Sequence, residues 1–303
     1  MLKYIKYFVK YVELNTKVAS FFPFMIAMFY YIFYFSDDNG INYVNFVIYF
    51  IAMLCFDMAT TSINHYVAFH KEKDDISLYD DDTLRQMKEL NITMKDNLAI
   101  TIVLLSIATI LGVILVINSN IAVLLLGGLC FLIGISYSYG PKPIAYGPLG
   151  EVFSGATMGG ILPVIVLFTQ YDHIPFELNP LLVVVFIPLT FLIANILLAN
   201  NICDLEKDEN NNRFTLTHYI GKKWAVRGLY LSNLIAVSFI AVSYTLGFLD
   251  SQWYLLLCLM IAPLTLNTMM FSKKLSKQES FPFIIKNFIM FSVFYLMAIL
   301  LLK

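Results

Sequence analysis

Charged side chains are scarce in this 303-residue chain, at 14% against the roughly 25% usual in soluble domains. Neither sign dominates: 20 Lys and Arg meet 21 Asp and Glu, and the net charge of −1 argues against a nucleic-acid binder. The four cysteines, Cys55, Cys130, Cys203 and Cys258, lie in or beside apolar runs without metal spacing. They read as small buried hydrophobes, which leaves no disulfide framework. His65, His70 and His218 likewise lack the spacing of a zinc site. No small-residue cleavage site follows the basic, aromatic residues 1–17, so no cleavable signal peptide is expected there. That segment reads as a short interfacial helix at a membrane surface.

What remains is apolar. Hydrophobic residues make up 59% of the chain and mean hydropathy is +0.74, values of an integral membrane protein. Runs of about 17–25 apolar residues can cross the hydrocarbon as helices. Nine are expected, near 18–36, 42–68, 97–117, 120–138, 149–170, 180–203, 227–247, 251–271 and 283–302. With the N-terminus inside, the inner segments, the last two taken with the adjoining Arg227 and Lys286, hold 4, 5, 1, 5 and 4 Lys or Arg, which is 19 of the 20. The outer loops carry none, and only Lys303 falls at the outer C-terminus. This asymmetry fixes the expected orientation, with the N-terminus cytoplasmic and the C-terminus outside. The expected fold is therefore all-α: a polytopic membrane protein of nine transmembrane helices around a central cavity open to the cytoplasmic side. Residues 1–303 form one domain in this reading.

Two acid-bearing stretches sit at the inner ends of spans two and six. In the sharper one, Asn200, Asp204 and Asp208 are spaced four apart, so a helix projects them on one face. Two carboxylates and an amide make an oxygen-donor site of the kind Mg2+ accepts together with substrate phosphates. Asp-x-x-x-Asp also occurs on solvated surfaces. The doubled Asn200-Asn201 inside an apolar run tips the balance, because polar groups at that depth face a cavity or a partner. In span two, Asp57, Thr61 and Asn64 share a polar face. Asp57 is there either a functional group or the cap of a neighbouring helix. Glu72, Asp74 and Asp75 follow close enough to join a site, whereas Asp80-Asp81-Asp82 reads as a solvated stretch. Between spans four and five, Gly140-Pro141-Lys142-Pro143 breaks the helix. Lys142 is either a diphosphate partner or a positive-inside anchor. Glu151 opens span five, where an acid also complements the helix dipole. Arg213 is a second cation suited to a diphosphate.

At these residues the chain resembles the UbiA-type intramembrane prenyltransferases, most of all the 1,4-dihydroxy-2-naphthoate polyprenyltransferases of menaquinone synthesis. Leu198 to Asp204, then Asp208, Arg213 and Thr215-Leu216, is similar to that family's second aspartate motif. Gly140 to Tyr146 with Leu149-Gly150-Glu151 resembles its loop between spans four and five. The first motif departs from the pattern: Asn64 is followed by Ala68 where the family has Asp, and His65 replaces an acid. Cys203 and Phe214 stand where basic residues are usual.

The resemblance implies Mg2+-dependent transfer of a polyprenyl group from its diphosphate to an aromatic acceptor. Dihydroxynaphthoate is the foremost acceptor and demethylmenaquinol the product. Asp204, Asp208, Asn64, Asp74 and Asp75 are then the metal residues. Asn64, Asp204, Asp208, Lys142 and Tyr146 form the catalytic set, with Asn200, Asn201, Arg213, Tyr137, Glu151 and Asp57 binding substrate. The polyprenyl diphosphate, the acceptor and the bilayer are the partners. Competing readings are another acceptor (4-hydroxybenzoate, homogentisate or haem) and a weakened paralogue acting as a lipid-binding or partner subunit. A secondary transporter is disfavoured, because transport sites lie near the midplane.

Overall fold

A computed structural model describes residues 2–36, 40–71, 81–175, 179–249 and 253–301, and among them there are helices and no strands. Helix α1 spans Leu2–Tyr11 and a 3-10 turn, Leu14–Lys17, joins it to α2, Val18–Tyr34. Then come α3 (Tyr43–Lys71), α4 (Asp81–Leu90), α5 (Met94–Ile117) and α6 (Ile121–Ser138). Helix α7 (Gly150–Phe168) contains a π-helical stretch at Ala156–Ile161, and α8 (Pro180–Cys203) begins as a 3-10 segment. The short α9 (Leu205–Asn210), α10 (Leu216–Thr245), α11 (Trp253–Lys274) and α12 (Phe281–Leu301) complete the chain.

Among the described residues, eight helices are long and apolar enough to cross a membrane: α2, α3, α5, α6, α7, α8, α10 and α12. The ninth expected span coincides with α11, which packs between α10 and α12 but is not one of the eight. The loop expected over 69–96 contains α4. That helix opens with Asp81 and Asp82, carries Lys88 in its last turn, and is followed by Asn91 at φ 52. This is the charge order and left-handed exit that suit a helix.

Each long helix packs on the next, and α12 returns to α2, so the bundle closes into a ring. Helix α8 is the most enclosed, with 56% of its most apolar stretch buried, and α6 the least at 17%. A core rich in aromatics (Tyr30, Tyr31, Phe186, Phe288, Phe291, Tyr295) joins α2, α8 and α12. Buried tyrosine hydroxyls there serve carbonyls that helix geometry leaves open: Tyr295 donates to Val185 O at 2.7 Å and Tyr30 to Phe248 O at 2.9 Å. Lipid offers no alternative partner for such groups.

Amides bind the second half of the ring. Asn195 donates to Asn233 Oδ1 (2.9 Å), and Asn233 donates to Thr268 Oγ1 (2.9 Å). Asn287 donates to Thr268 Oγ1 at 3.2 Å, so α8, α10, α11 and α12 share one buried polar chain. The N-terminal helix does more than rest on a surface. Tyr7 and Tyr11 are buried, and Tyr7 donates to Asn97 Oδ1 at 2.8 Å on α5. Ser62 of α3 donates to the Tyr11 hydroxyl at 3.1 Å.

Candidate active site

Helix α8 ends at Cys203, and Asp204, at φ −94 and ψ 9, forms the joint with α9. Four-residue hydrogen bonding continues across the joint: Asp204 N donates to Asn200 O (2.9 Å), and Asp208 N to Asp204 O (2.8 Å). The unbroken helical face expected over Asn200, Asp204 and Asp208 is therefore interrupted at its middle residue. The deeply buried amide is Asn201 rather than Asn200. Asp208 is 3% exposed. Burial pushes its carboxyl above the ordinary carboxylate range, and the nearby Asp204 charge adds to this against Arg213, Lys277 and Lys207. Arg213 Nη1 lies 3.4 Å from Asp208 Oδ1, and its guanidinium is 5.3 Å from the centre of the Tyr146 ring. Phe214 N donates to Tyr146 O at 3.1 Å, which ties the α9–α10 loop to the α6–α7 loop.

Helix α7 supplies the opposite wall. A Cβ at Gly155 would lie 2.4 Å from Thr190 O, and one at Gly159 would lie 2.4 Å from Thr190 N. Only glycine permits so close a backbone approach, the small-xxx-small packing common between membrane helices. One turn before Gly155 on the same face stands Glu151, and Asn201 Nδ2 donates to its Oε1 at 2.9 Å. Glu151 is thus a buried partner of the second acidic motif as well as an acid in a first helical turn.

Several polar atoms of this cluster are buried with no hydrogen-bond partner: Glu151 Oε2, Asn201 Oδ1, Asp208 Oδ2, Arg213 Nε and Thr215 Oγ1. Orphaned polar atoms at such depth are costly unless a ligand completes them. Four are oxygen atoms, three of them on carboxyl or amide groups, and the fifth belongs to a guanidinium, a donor set that fits a divalent cation with an anionic substrate. Tyr137 is within electrostatic reach of Glu151, Asp208 and Arg213. It also lines a cavity of ≈ 500 Å³ walled by α3, α5, α6 and α7. The rest of that wall is mostly apolar, including the stacked rings of Phe56 and Phe131, 4.1 Å apart. Tyr137 therefore stands where the polar cluster meets the apolar space.

The first acidic stretch is arranged differently. Lys17 Nζ donates to Asp57 Oδ1 (2.9 Å) and Thr61 Oγ1 (2.6 Å), and Ser20 donates to Asp57 Oδ2 (2.6 Å). Asp57 lines the apolar cavity, and both its carboxylate oxygens accept from side chains at the start of α2, those of Lys17 and Ser20, rather than from the backbone N–H groups of a cap. Asn64 is exposed and Lys142 is exposed on its loop. Glu72, Asp74 and Asp75 lie outside the described residues, and among the described residues no three Asp, Glu, His or Cys side chains form a metal cluster.

His65, beside Asn64, contacts Glu13 Oε1 at 3.2 Å. That hydrogen bond, helped by the charges of His65, Lys17 and Lys277, holds the Glu13 carboxyl below its ordinary range against partial burial. Lys277, on the loop between α11 and α12, also pairs with Asp204. The ends of α3 and α8 that carry the two motifs therefore lie at the same end of the bundle. Sequence reasoning missed Glu13, Lys17 and Lys277 as members of this region, and it placed Thr215 in the second motif without giving it a role. Lys277 was visible only as one positive-inside charge among four.

The sequence model of the UbiA prenyltransferase family matches residues 20–294. A curated relative, 1,4-dihydroxy-2-naphthoate octaprenyltransferase of Bacillus subtilis (strain 168), is 33% identical over 76% of this chain and 68% of its own length. Among solved structures, a UbiA homolog from Archaeoglobus fulgidus bound to GPP and Mg2+ superposes with a TM-score of 0.68 at 14% identity. It covers 97% of this chain and 98% of its own. An apo UbiA homolog from Aeropyrum pernix K1 gives 0.68 at 15%, covering 92% and 97%.

Proposed function

The chain belongs to the UbiA prenyltransferase family, and on that premise we propose that it moves a polyprenyl group from polyprenyl diphosphate to 1,4-dihydroxy-2-naphthoate. The observation that carries this reading is the cluster of orphaned buried atoms on Glu151, Asn201, Asp208 and Arg213 beside an apolar cavity. The relative that is 33% identical over 76% of this chain bears that activity in its name, and a homologue of the same fold binds GPP and Mg2+. The nine-pass layout with the N-terminus inside rests on the Lys and Arg asymmetry.

In this reading Asp204, Asp208, Asn64, Asn201, Asp74 and Asp75 hold Mg2+, which when bound withdraws charge from the leaving diphosphate. Arg213, braced by Asp208 and by the face of Tyr146, shares that negative charge, as does Lys142 from its exposed loop. Asn200, half-buried one turn before Asp204, adds an amide to the donor's head. Glu151 fixes the Asn201 amide so that its oxygen faces the site. The isoprenoid tail occupies the apolar space between α3, α5, α6 and α7, and Tyr137 marks where head gives way to tail. Aromatic faces such as Phe56 and Phe131 stabilise the allylic cation as its C–O bond breaks. The ring carbon of the acceptor forms the new C–C bond, and loss of its carboxyl group as carbon dioxide restores aromaticity.

Purified protein supplied with Mg2+, a polyprenyl diphosphate and dihydroxynaphthoate yields the prenylated product. Asp208→Ala abolishes it, and unchanged turnover in that variant rejects the metal assignment. Competition with 4-hydroxybenzoate and homogentisate tests the acceptor.

A further inference from the structure

We propose that Lys277 is a further donor-binding residue: its ammonium, paired with Asp204, transfers its charge to the diphosphate when cation and donor enter. The inference rests on the diphosphate reading of the site and extends it to the loop between α11 and α12, which carries neither acidic motif.

Three observations place Lys277 there. Its ammonium pairs with Asp204 Oδ2, although its side chain is 52% exposed and free to take other positions. Its charge also reaches Glu13, next to His65, and Asp208, so it stands between the two motif-bearing helix ends. The turn that carries it is firmly built. Ser276 N donates to Ser280 Oγ at 2.8 Å, Phe281 N donates to Ser276 O at 2.9 Å, and Ser280 is buried. Leu275 enters that turn at φ 49, a left-handed conformation unfavourable for a branched side chain. Strain of that kind persists where the surrounding structure enforces a particular placement. The ordinary alternative is a surface ion pair that does nothing further, like Lys274 with Glu279 on the same loop.

An ammonium on Asp204 competes with a divalent cation for the carboxylate, but assists a diphosphate once that cation is in place. Lys277→Gln must therefore move two measurements in opposite directions. In donor-free protein it tightens Mn2+ binding, read by electron paramagnetic resonance, by about three- to five-fold, the equivalent of a modest exposed ion pair. In the assay with Mg2+ it raises KM for the polyprenyl diphosphate by about ten-fold, as expected for one lost charge-assisted contact, with kcat changed less. Lys277→Arg restores KM, and Lys274→Gln changes neither measurement. Mn2+ affinity and KM equal to wild type in Lys277→Gln overturn the inference, as does a loss of Mn2+ affinity. Asp208→Asn in the same Mn2+ titration separates the two levels. If it loses the cation while Lys277→Gln behaves as wild type, only the role of Lys277 fails. If Asp208→Asn binds as wild type, the metal reading of the whole site fails.

Discussion

The Gly155–Gly159 contact sets how close α7 comes to α8, and adding a methyl group at Gly159 tests what depends on it. A Cβ there would lie 2.4 Å from Thr190 N, 2.5 Å from Thr190 Cα and 2.6 Å from Leu189 C. All three are backbone atoms of an enclosed helix, so no side chain can swing aside. Ordinary contact needs roughly 1 Å more, and overpacking of that kind costs about 1–3 kcal/mol. Glu151 lies eight residues away on the same helix, about 12 Å along its axis. A tilt of α7 that relieves the clash therefore strains the 2.9 Å bond from Asn201 to Glu151. A misplacement near 1 Å in a reacting site lowers turnover by about a hundred-fold. Gly159→Ala should then lower the thermal midpoint in lipid nanodiscs and reduce kcat for prenyl transfer. Gly160→Ala, whose added Cβ meets only Thr190 Oγ1 at 3.4 Å, should change both far less. Gly228→Ala, 3.6 Å from Leu198 Cδ2, serves as an ordinary-contact control. If Gly159→Ala matches Gly228→Ala in midpoint and turnover, the close approach does not hold the site together and the reasoning is wrong.

Lys17→Met leaves the Asp57 carboxylate without its cation beside an apolar cavity, and chemical unfolding should show a loss of about 3 kcal/mol. Adding Asp57→Asn should recover most of it, and a double variant as unstable as the single one would sink the pairing argument. Asp208→Asn should raise the thermal midpoint of the donor-free protein while turnover disappears, because burial already disfavours the charge there. A lowered midpoint would show that the pair with Arg213 outweighs the burial. His65→Asp sets a second carboxylate against Glu13 in place of the present 3.2 Å contact, so α1 should undock and protease sensitivity at the N-terminus should rise. Glu13→Gln in the same chain should reverse that change.

Legibility in the sequence followed the physics that each residue obeys. Long apolar runs and one-sided Lys and Arg announce helices that cross a bilayer, because hydrocarbon tolerates little else. The acid at Asp208 was visible from its four-residue spacing and Arg213 as a nearby cation suited to a diphosphate, since carboxylates and guanidinium groups at the end of an apolar run need partners. Their partners from other helices were not visible. Glu151 meets Asn201 fifty residues away, and only the glycine contact between α7 and α8 makes that meeting possible. The break at Asp204 was hidden for a different reason: the four-residue hydrogen bonding runs through the joint, so period and propensity both read as one helix. Asp57 was legible as a costly buried acid, but its partner Lys17 was not, because Lys17 lies in a segment that reads as an interfacial helix.

The departures of the first motif take on a structural sense once the N-terminal helix is docked. An acid at position 65 would face Glu13, and two carboxylates at hydrogen-bond distance repel; the imidazole of His65 instead donates to the Glu13 carboxylate. That contact, with Tyr11 5.4 Å from the His65 ring, seats residues 7–17 against α3 and delivers Lys17 to Asp57. The loss of an acid beside Asn64 thus coincides with a gain in fixing the entry to α2, whose Ser20 borders the apolar cavity. Among the described residues, unpartnered oxygen atoms gather at the second motif, on Asp208, Asn201 and Glu151. The second motif thus leans on α8, the most enclosed helix of the bundle, while the end of α3 both seats the N-terminal segment and presents Asn64.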